Sequence, residues 1–177
     1  GDGRRDIVDS VPDALASTAK FLQNAGYRRG EPWGFEVRLP PGMDTSDASR
    51  KNKRPIDAWR SAGVTLVDGS PLPDSLPSAG LLIPARSRGG GPAFLVGRNF
   101  DTLYSYNASE NYGLAIAQLS NLVTAPPGMP VGFVQAWPTD DPGLSRAQNR
   151  ELQTLLLARG HDIGTADGMI GAKTREA

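Results

Sequence analysis

Two clusters of proline and glycine, Ala125-Pro-Pro-Gly-Met-Pro130 and Pro138-Thr-Asp-Asp-Pro-Gly143, interrupt this chain, and no helix or strand can run through either. They divide its 177 residues into a long part, 1–124, a linker, 125–143, and a short part, 144–177. The long part is large enough to bury a core of its own. The short part has no cysteine to staple it. At about 35 residues it would be marginal alone, which predicts an incomplete module or one that leans on a neighbour.

Composition narrows the function classes. Hydrophobic residues make up 38% and charged residues 21%, a globular balance, while 21 Gly and 15 Pro predict a loop-rich fold. The formal net charge is zero, so no global field attracts a polyanion, and nucleic acid is excluded as an expected partner. The absence of cysteine excludes disulfides, thiolate metal sites and a thiol nucleophile. No run approaches the ~20 consecutive apolar residues of a membrane span, and the charged start Gly1 to Arg5 does not read as a signal peptide.

Periodicity supplies the elements. Ser10 as N-cap, Pro12 in the first turn and Asp13 three residues on predict a helix carrying Leu15, Ala19, Leu22 and Ala25 and stopped by Gly26. Phe35 to Leu39 alternates apolar and polar and predicts a strand. Pro55 to Trp59 reads as a short helix closed by Gly63, and Val64–Val67, Leu81–Ile83 and Ala93–Val96 read as further strands of a small β-rich lobe. Ser109 caps a helix whose Tyr112, Ala115, Ile116, Leu119 and Leu122 share one face. In the short part, Ser145 and Gln148 form a capping box ahead of Leu152, Leu155 and Leu156, Gly160 stops that helix, and Gly171 to Arg175 reads as another helix start. The fold class is α+β followed by a small all-α unit.

Several motifs carry chemistry in more than one way. Asp2, Asp6 and Asp9 have the spacing of the second half of an EF-hand loop, positions 5, 9 and 12 with Gly3 at the turn, and such hard oxygen ligands select calcium. Helix capping and the helix dipole account for Asp9, Ser10 and Asp13 without any metal. The Arg86 to Gly91 segment lacks the strand and lysine of a phosphate loop and reads as a solvated turn. The basic cluster Arg50 to Arg54 reads as an exposed face. His161, the one histidine, has no nearby partner in sequence and reads as a loop residue.

The block Arg98 to Ile116, reading Arg-Asn-Phe-Asp-Thr-Leu-Tyr-Ser-Tyr-Asn-Ala-Ser-Glu-Asn-Tyr-Gly-Leu-Ala-Ile, resembles the C-terminal signature of B-family lytic murein transglycosylases. Residues 1–19 and Trp33 to Leu39 are similar to the same family in the same order, so the resemblance spans roughly 1–124. It implies part of a lysozyme-like catalytic region. It also implies cleavage of the β-1,4 bond between N-acetylmuramic acid and N-acetylglucosamine, leaving 1,6-anhydromuramoyl ends. In that family a single Glu in a Glu-Ser-x-Phe-Gly motif serves as acid and then base. Glu31, Glu36, Glu110, Glu151 and Glu176 do not match this context, so no catalytic residue is assigned and the acid is expected upstream.

Carried over residue by residue, the family's glycan contacts fall on Tyr106, Asn107 and Tyr112, and a first-helix position that is often Tyr falls on Phe21. Aromatic faces stack on pyranose rings and amides pair with N-acetyl groups. The rival reading of Tyr112 is a core residue beside Ile116 and Leu119. Some members of the family carry a metal in an EF-hand-like loop, which would be calcium here. No cofactor is required for the reaction.

Leu152-Gln-Thr-Leu and Asp167-Gly-Met-Ile-Gly171-Ala-Lys-Thr174 resemble the common peptidoglycan-binding domain. The implied partner is the peptidoglycan glycan strand, the implied compartment the bacterial periplasm, with outer-membrane association through an upstream segment. The alternative is a non-catalytic peptidoglycan-binding fragment or accessory protein.

Overall fold

The computed structural model describes residues 6–84, 91–126, 132–138 and 143–177, and the chain divides into two compact units, 1–138 and 139–177.

The first unit is built on a five-stranded antiparallel sheet. Its strands are β1 (Gly34–Arg38), β2 (Arg54–Pro55), β3 (Thr65–Leu66), β4 (Ser78–Leu82) and β5 (Ala93–Val96), in the spatial order β2-β4-β5-β1-β3. The central strand β5 pairs Leu95 with Phe35 on one side and with Leu81 on the other. All four of its residues are buried, because both faces of the sheet are covered. Alternation sorts them. Ala93 and Leu95 join Val37, Ala79 and Leu81 in a cluster closed by Ile56, Trp59, Val64, Leu72 and Leu76. Phe94 and Val96 join Leu82, Phe100 and Leu114 on the opposite face, with Trp33 and Phe133 against them.

Four helices complete the unit: α1 (Val11–Asn24), α2 (Ile56–Ser61), α3 (Arg98–Asn107) and α4 (Glu110–Thr124). Helix α1 begins as expected, with the Asp13 N–H donating to the Ser10 hydroxyl at 3.4 Å, and Gly26 beyond it takes φ +94°. None of its residues is buried, and Val11 and Leu15 are 70% and 66% exposed. Helix α3 has no counterpart among the sequence expectations. Its run of Asn, Asp, Thr, Ser and Tyr is poor in helix formers, and packing supplies what propensity withholds: Asn99, Phe100, Thr102 and Leu103 are all buried.

Helix α4 starts at the Ser109 cap as expected, yet turns its other side to the core. Gly113, Leu114 and Ala117 are buried, whereas Leu119 and Leu122 are 54% and 52% exposed. The reason is Phe100. A Cβ on Gly113 would sit 3.1 Å from its ring, so only the glycine face of α4 approaches α3 closely. The apolar stripe faces outward and, with Phe133 and Trp137, lines a groove of about 610 Å³.

Residues 132–138, within the stretch read as linker, pack on the first unit. The Phe133 ring lies 4.8 Å from that of Phe94. Val134 and Gln135 each donate a backbone N–H to the Glu36 carboxylate at 2.7 Å, and the Gln135 side chain donates to the Val37 carbonyl. Glu36 thus clamps this segment to β1.

The second unit contains α5 (Arg146–Ala158) and α6 (Ala172–Glu176). Its capping box forms as expected, with Ser145 and Gln148 exchanging hydrogen bonds. The interior does not follow the leucines: Leu152 and Leu155 are 38% and 55% exposed. The buried residue of α5 is Gln153, whose Oε1 accepts the Gly168 N–H at 2.7 Å while its Nε2 donates to the Met169 carbonyl at 3.0 Å. Gly168 has φ +80°, and a Cβ there would lie 2.5 Å from the Arg146 carbonyl oxygen. The Leu-Gln and Asp-Gly pairs of the sequence pattern are therefore one hydrogen-bonded assembly.

Asp167 belongs to that assembly, accepting from the Met169 N–H at 2.8 Å and from the Gln153 amide at 3.3 Å. These bonds, the backbone one first, hold its carboxyl below the usual aspartate range. A carboxyl depressed in the folded state adds stability above its unfolded pKa and loses it as pH falls through the folded value. The second unit should therefore weaken below about pH 4, and Asp167→Asn should flatten that dependence in acid titrations followed by amide resonances.

Candidate functional site

The turn between α3 and α4 gathers most of the residues singled out from the sequence. Helix α3 ends at Ala108, which takes the left-handed conformation (φ +48°, ψ +34°) and donates its N–H to the Tyr104 carbonyl at 2.7 Å. Ser109 then caps α4 by accepting the Tyr112 N–H at 3.3 Å. This sharp reversal brings the Tyr106 and Tyr112 rings to 6.2 Å, stacked within 9° of parallel. From α1, Phe21 meets the edge of Tyr106 at 5.2 Å and 88°. Phe21, Tyr106 and Tyr112 thus form one continuous aromatic row drawn from three helices, with Tyr106 51% and Phe21 41% exposed. Asn107 is exposed beside it. Tyr112 is only partly buried and lies in the row.

Ala108 is the only described non-glycine residue with positive φ. A Cβ in that region costs about 1–2 kcal/mol. Ala108→Gly is expected to raise the stability of the first unit by about 0.5–1 kcal/mol, the relief of strain exceeding the added chain entropy, as read from urea midpoints at constant slope.

Polar residues hold the turn from below. Asn99, fully buried, accepts the Arg28 N–H at 2.8 Å and donates to the carbonyls of Arg28 and Glu31 at 2.8 and 2.6 Å. It fixes the 28–31 loop, and with it the end of α1, to α3. Trp33 donates its indole N–H to Asn121 on α4 at 3.2 Å. Arg50 reaches both helices: its guanidinium pairs with Asp101 at 3.0 Å and Glu110 at 3.8 Å, and lies 3.6 Å over the Tyr104 ring. Its side chain is only 13% exposed, and that of Lys53, paired with Asp101 at 2.9 Å, is 23% exposed. The basic cluster is therefore not an exposed face throughout: Arg50 and Lys53 are sheltered, whereas Lys51 and Arg54 are exposed, Arg54 pairing with Asp47. Neither Asn99 nor Arg50 was singled out as functional from the sequence, where polar residues amid polar neighbours carry no sign of burial.

The five glutamates are dispersed. Glu31 pairs with Arg28, Glu36 clamps 134–135, Glu110 pairs with Arg50, and Glu151 and Glu176 are exposed in the second unit. None joins the aromatic row as a free acid.

The metal reading does not gain a site. Asp2 lies outside the described residues. Asp6 uses one oxygen to accept the N–H groups of Val8 and Asp9 at 3.0 and 2.9 Å, which lowers its pKa, chiefly through Asp9. Among the described residues no group of three or more acidic, histidine or cysteine side chains converges on a point where a cation could bind. The Asp6 carboxylate thus serves a turn before α1, to which Asp9 contributes its backbone N–H, and the two residues do not fit a calcium site by themselves. No described helix is long and apolar enough to cross a membrane.

A curled antiparallel sheet set against helices, with an aromatic row on the helical side, is the lysozyme-like transglycosylase fold. The family model described as the transglycosylase SLT domain matches residues 1–121, and the chain belongs to that family. It is similar to SltB3 from Pseudomonas aeruginosa, solved with NAG-NAM-pentapeptide and with NAG-anhNAM-pentapeptide: 49% identity over 99% of this chain, with TM-scores of 0.80 and 0.79. It is also similar to the Escherichia coli lytic transglycosylase Slt35, solved with bulgecin A (29% identity, TM-score 0.54) and with calcium (30%, 0.52), over 70% of this chain. The chain spans 46% of the SltB3 chain and 37% of the Slt35 chains. No curated protein matches it.

Proposed function

We propose that this chain is the C-terminal part of the catalytic region of a B-family lytic murein transglycosylase, contributing one wall of the glycan cleft, followed by a partial peptidoglycan-binding module. The observation that carries the reading is the likeness, 49% identical over 99% of the chain, to a protein solved with both a NAG-NAM and a NAG-anhNAM pentapeptide. The aromatic row supports the assignment of residues. Phe21, Tyr106 and Tyr112 present ring faces and edges for pyranose stacking, and Asn107 presents an amide for N-acetyl or hydroxyl groups. Phe21 offers the row no hydroxyl, so its contribution is apolar.

In the proposed reaction a carboxylic acid protonates the glycosidic oxygen and the C1–O bond breaks, releasing the N-acetylglucosamine 4-hydroxyl. The resulting carboxylate takes the proton of the muramoyl C6 hydroxyl as O6 closes on C1, which restores the acid and consumes no water. No glutamate of this chain is assigned that role; we place it upstream. The residues here bind and orient the sugar. Calcium has a precedent in Slt35, but no step is assigned to it, because Asp6 and Asp9 do not fit an ion site by themselves. We place the protein in the bacterial periplasm, with outer-membrane association through an upstream segment. The second unit would raise the local concentration of the catalytic region on an insoluble polymer.

The test is incubation of purified peptidoglycan with this chain and with its upstream-extended parent, reading released muropeptides for anhydro ends by mass spectrometry. Anhydro products from the parent alone are expected; products from neither would leave a wall-binding protein. Titration with NAG-NAM-pentapeptide separates the site from the chemistry. Tyr112→Ala should weaken binding by roughly tenfold, the scale of one aromatic contact.

A further inference from the structure

We propose that Arg50 is a positioning residue for the glycan-facing row: it sets the angle between α3 and α4 and thereby the stack of Tyr106 on Tyr112. The inference rests on the reading that this row contacts the sugar. Its basis is geometric.

Arg50 lies on the polar loop between β1 and β2, far in sequence from either helix. Its backbone is seated against the sheet at Gly80 of β4, where an added Cβ would meet the carbonyl oxygens of Ser49 and Arg50 at 2.6 Å. From that seat the side chain reaches three groups at once. It pairs with Asp101, one turn into α3, at 3.0 Å, and with Glu110, the first residue of α4, at 3.8 Å. It also lies over the Tyr104 ring, 3.6 Å from the centroid. Tyr104 is the residue whose carbonyl receives the Ala108 N–H, so the guanidinium touches both helices and the residue that closes the turn between them. Lys53 fixes the remaining Asp101 oxygen at 2.9 Å, while also donating to the Arg50 and Val96 carbonyls.

This arrangement needs the planar fork of arginine. Lysine offers a point charge with no flat face, so it could keep one partner but not two carboxylates and a ring together. Only the left-handed residue Ala108 separates the last residue of α3 from the Ser109 cap, so a few degrees of change there move Tyr106 and Asn107 relative to Tyr112. With Arg50 in place the row is preorganised, and sugar binding need not order it.

The experiment titrates the chain with NAG-NAM-pentapeptide and records tyrosine ring resonances. Arg50→Lys keeps the charge. It is expected to weaken binding about five- to tenfold and to reduce the mutual ring-current shifts of Tyr106 and Tyr112 in the ligand-free protein. A role in stability alone would lower the melting temperature and leave both readouts unchanged. Arg54→Ala removes a cation from β2, where that loop ends, one that pairs with Asp47 and faces Trp59 instead; its affinity should stay within twofold of wild type. Should Arg50→Lys fail to fold, Glu110→Gln removes only the α4 partner and is expected to cost two- to threefold in affinity with the same direction of ring shift. Wild-type affinity and ring shifts in the folded Arg50 variant, or in Glu110→Gln where that variant does not fold, overturn the proposal while a weakened Tyr112→Ala keeps the glycan reading. Wild-type affinity in Tyr112→Ala overturns the glycan reading itself, and the positioning role with it.

Discussion

Phe100→Ala is expected to destabilise the first unit by about 3–5 kcal/mol, the range for removing a fully buried phenylalanine. Phe100 has no exposed surface, packs with Phe94, Val96 and Leu114, and lies 6.3 Å from the Trp33 ring. Its ring also fills the space that the missing Gly113 side chain leaves between α3 and α4. Little can collapse into the void, because the sheet lies on one side and the backbone of α4 on the other. A loss of this size is a large share of the ~5–15 kcal/mol of an ordinary domain. Urea unfolding followed by tryptophan fluorescence measures it cleanly, since Trp33, Trp59 and Trp137 all belong to this unit. A shift under 1 kcal/mol would mean that α4 closes onto the sheet without its wedge.

Gln153→Ala should unfold the second unit and spare the first. The side chain is 1% exposed and meets Gly168, Met169, Asp167 and Thr174. Its loss leaves the Gly168 N–H and the Met169 carbonyl without partners in the interior, at about 1–3 kcal/mol for each group left unsatisfied. The unit has few other resources: among its described hydrophobic residues only Ile163 is buried below a tenth exposure. Amide resonances of 143–177 should collapse to random-coil positions while those of the sheet stay in place. Retention of the Gly168 and Met169 shifts would show that the unit is held by something other than this side chain.

Much of the fold is legible in the sequence, and where it is not, the causes are physical. Helices α1, α4 and α5 carry caps whose chemistry is local, and β1, β4 and β5 carry apolar runs bounded by proline or glycine, so each was found within a few residues. Helix α3 was missed because its sequence Arg-Asn-Phe-Asp-Thr-Leu-Tyr-Ser-Tyr-Asn has no helical signal strong enough to outweigh its polar residues, and tertiary contacts decide it. The orientation of α4 was read from its apolar stripe. The decisive feature was the absence of a side chain at Gly113, which periodicity does not register. In the second unit, leucine spacing pointed to the core and a buried glutamine occupied it.

The candidate site divides along the same line. Tyr106, Asn107, Tyr112 and Phe21 came from resemblance to a family, and their roles rest on it. That Phe21 touches Tyr106 across 85 positions of chain, at 5.2 Å, depends on how α1 crosses α3. Arg50 and Asn99 lie in polar stretches that look like surface. Asn99 is sheltered by the 28–31 loop and Arg50 by the groups it reaches on α3 and α4, and no single-residue property announces that.

The sheet described above also bears on how copies of this protein behave when crowded. Its outer strands, β2 and β3, are two residues long, and β2 is the charged and proline pair Arg54–Pro55. Proline has no N–H to offer, and two residues present too little backbone to recruit a strand from another molecule. The most apolar strand, β5, lies in the middle with a neighbour on each side. The outermost strands therefore offer little backbone edge through which copies of this protein could zip into aggregates.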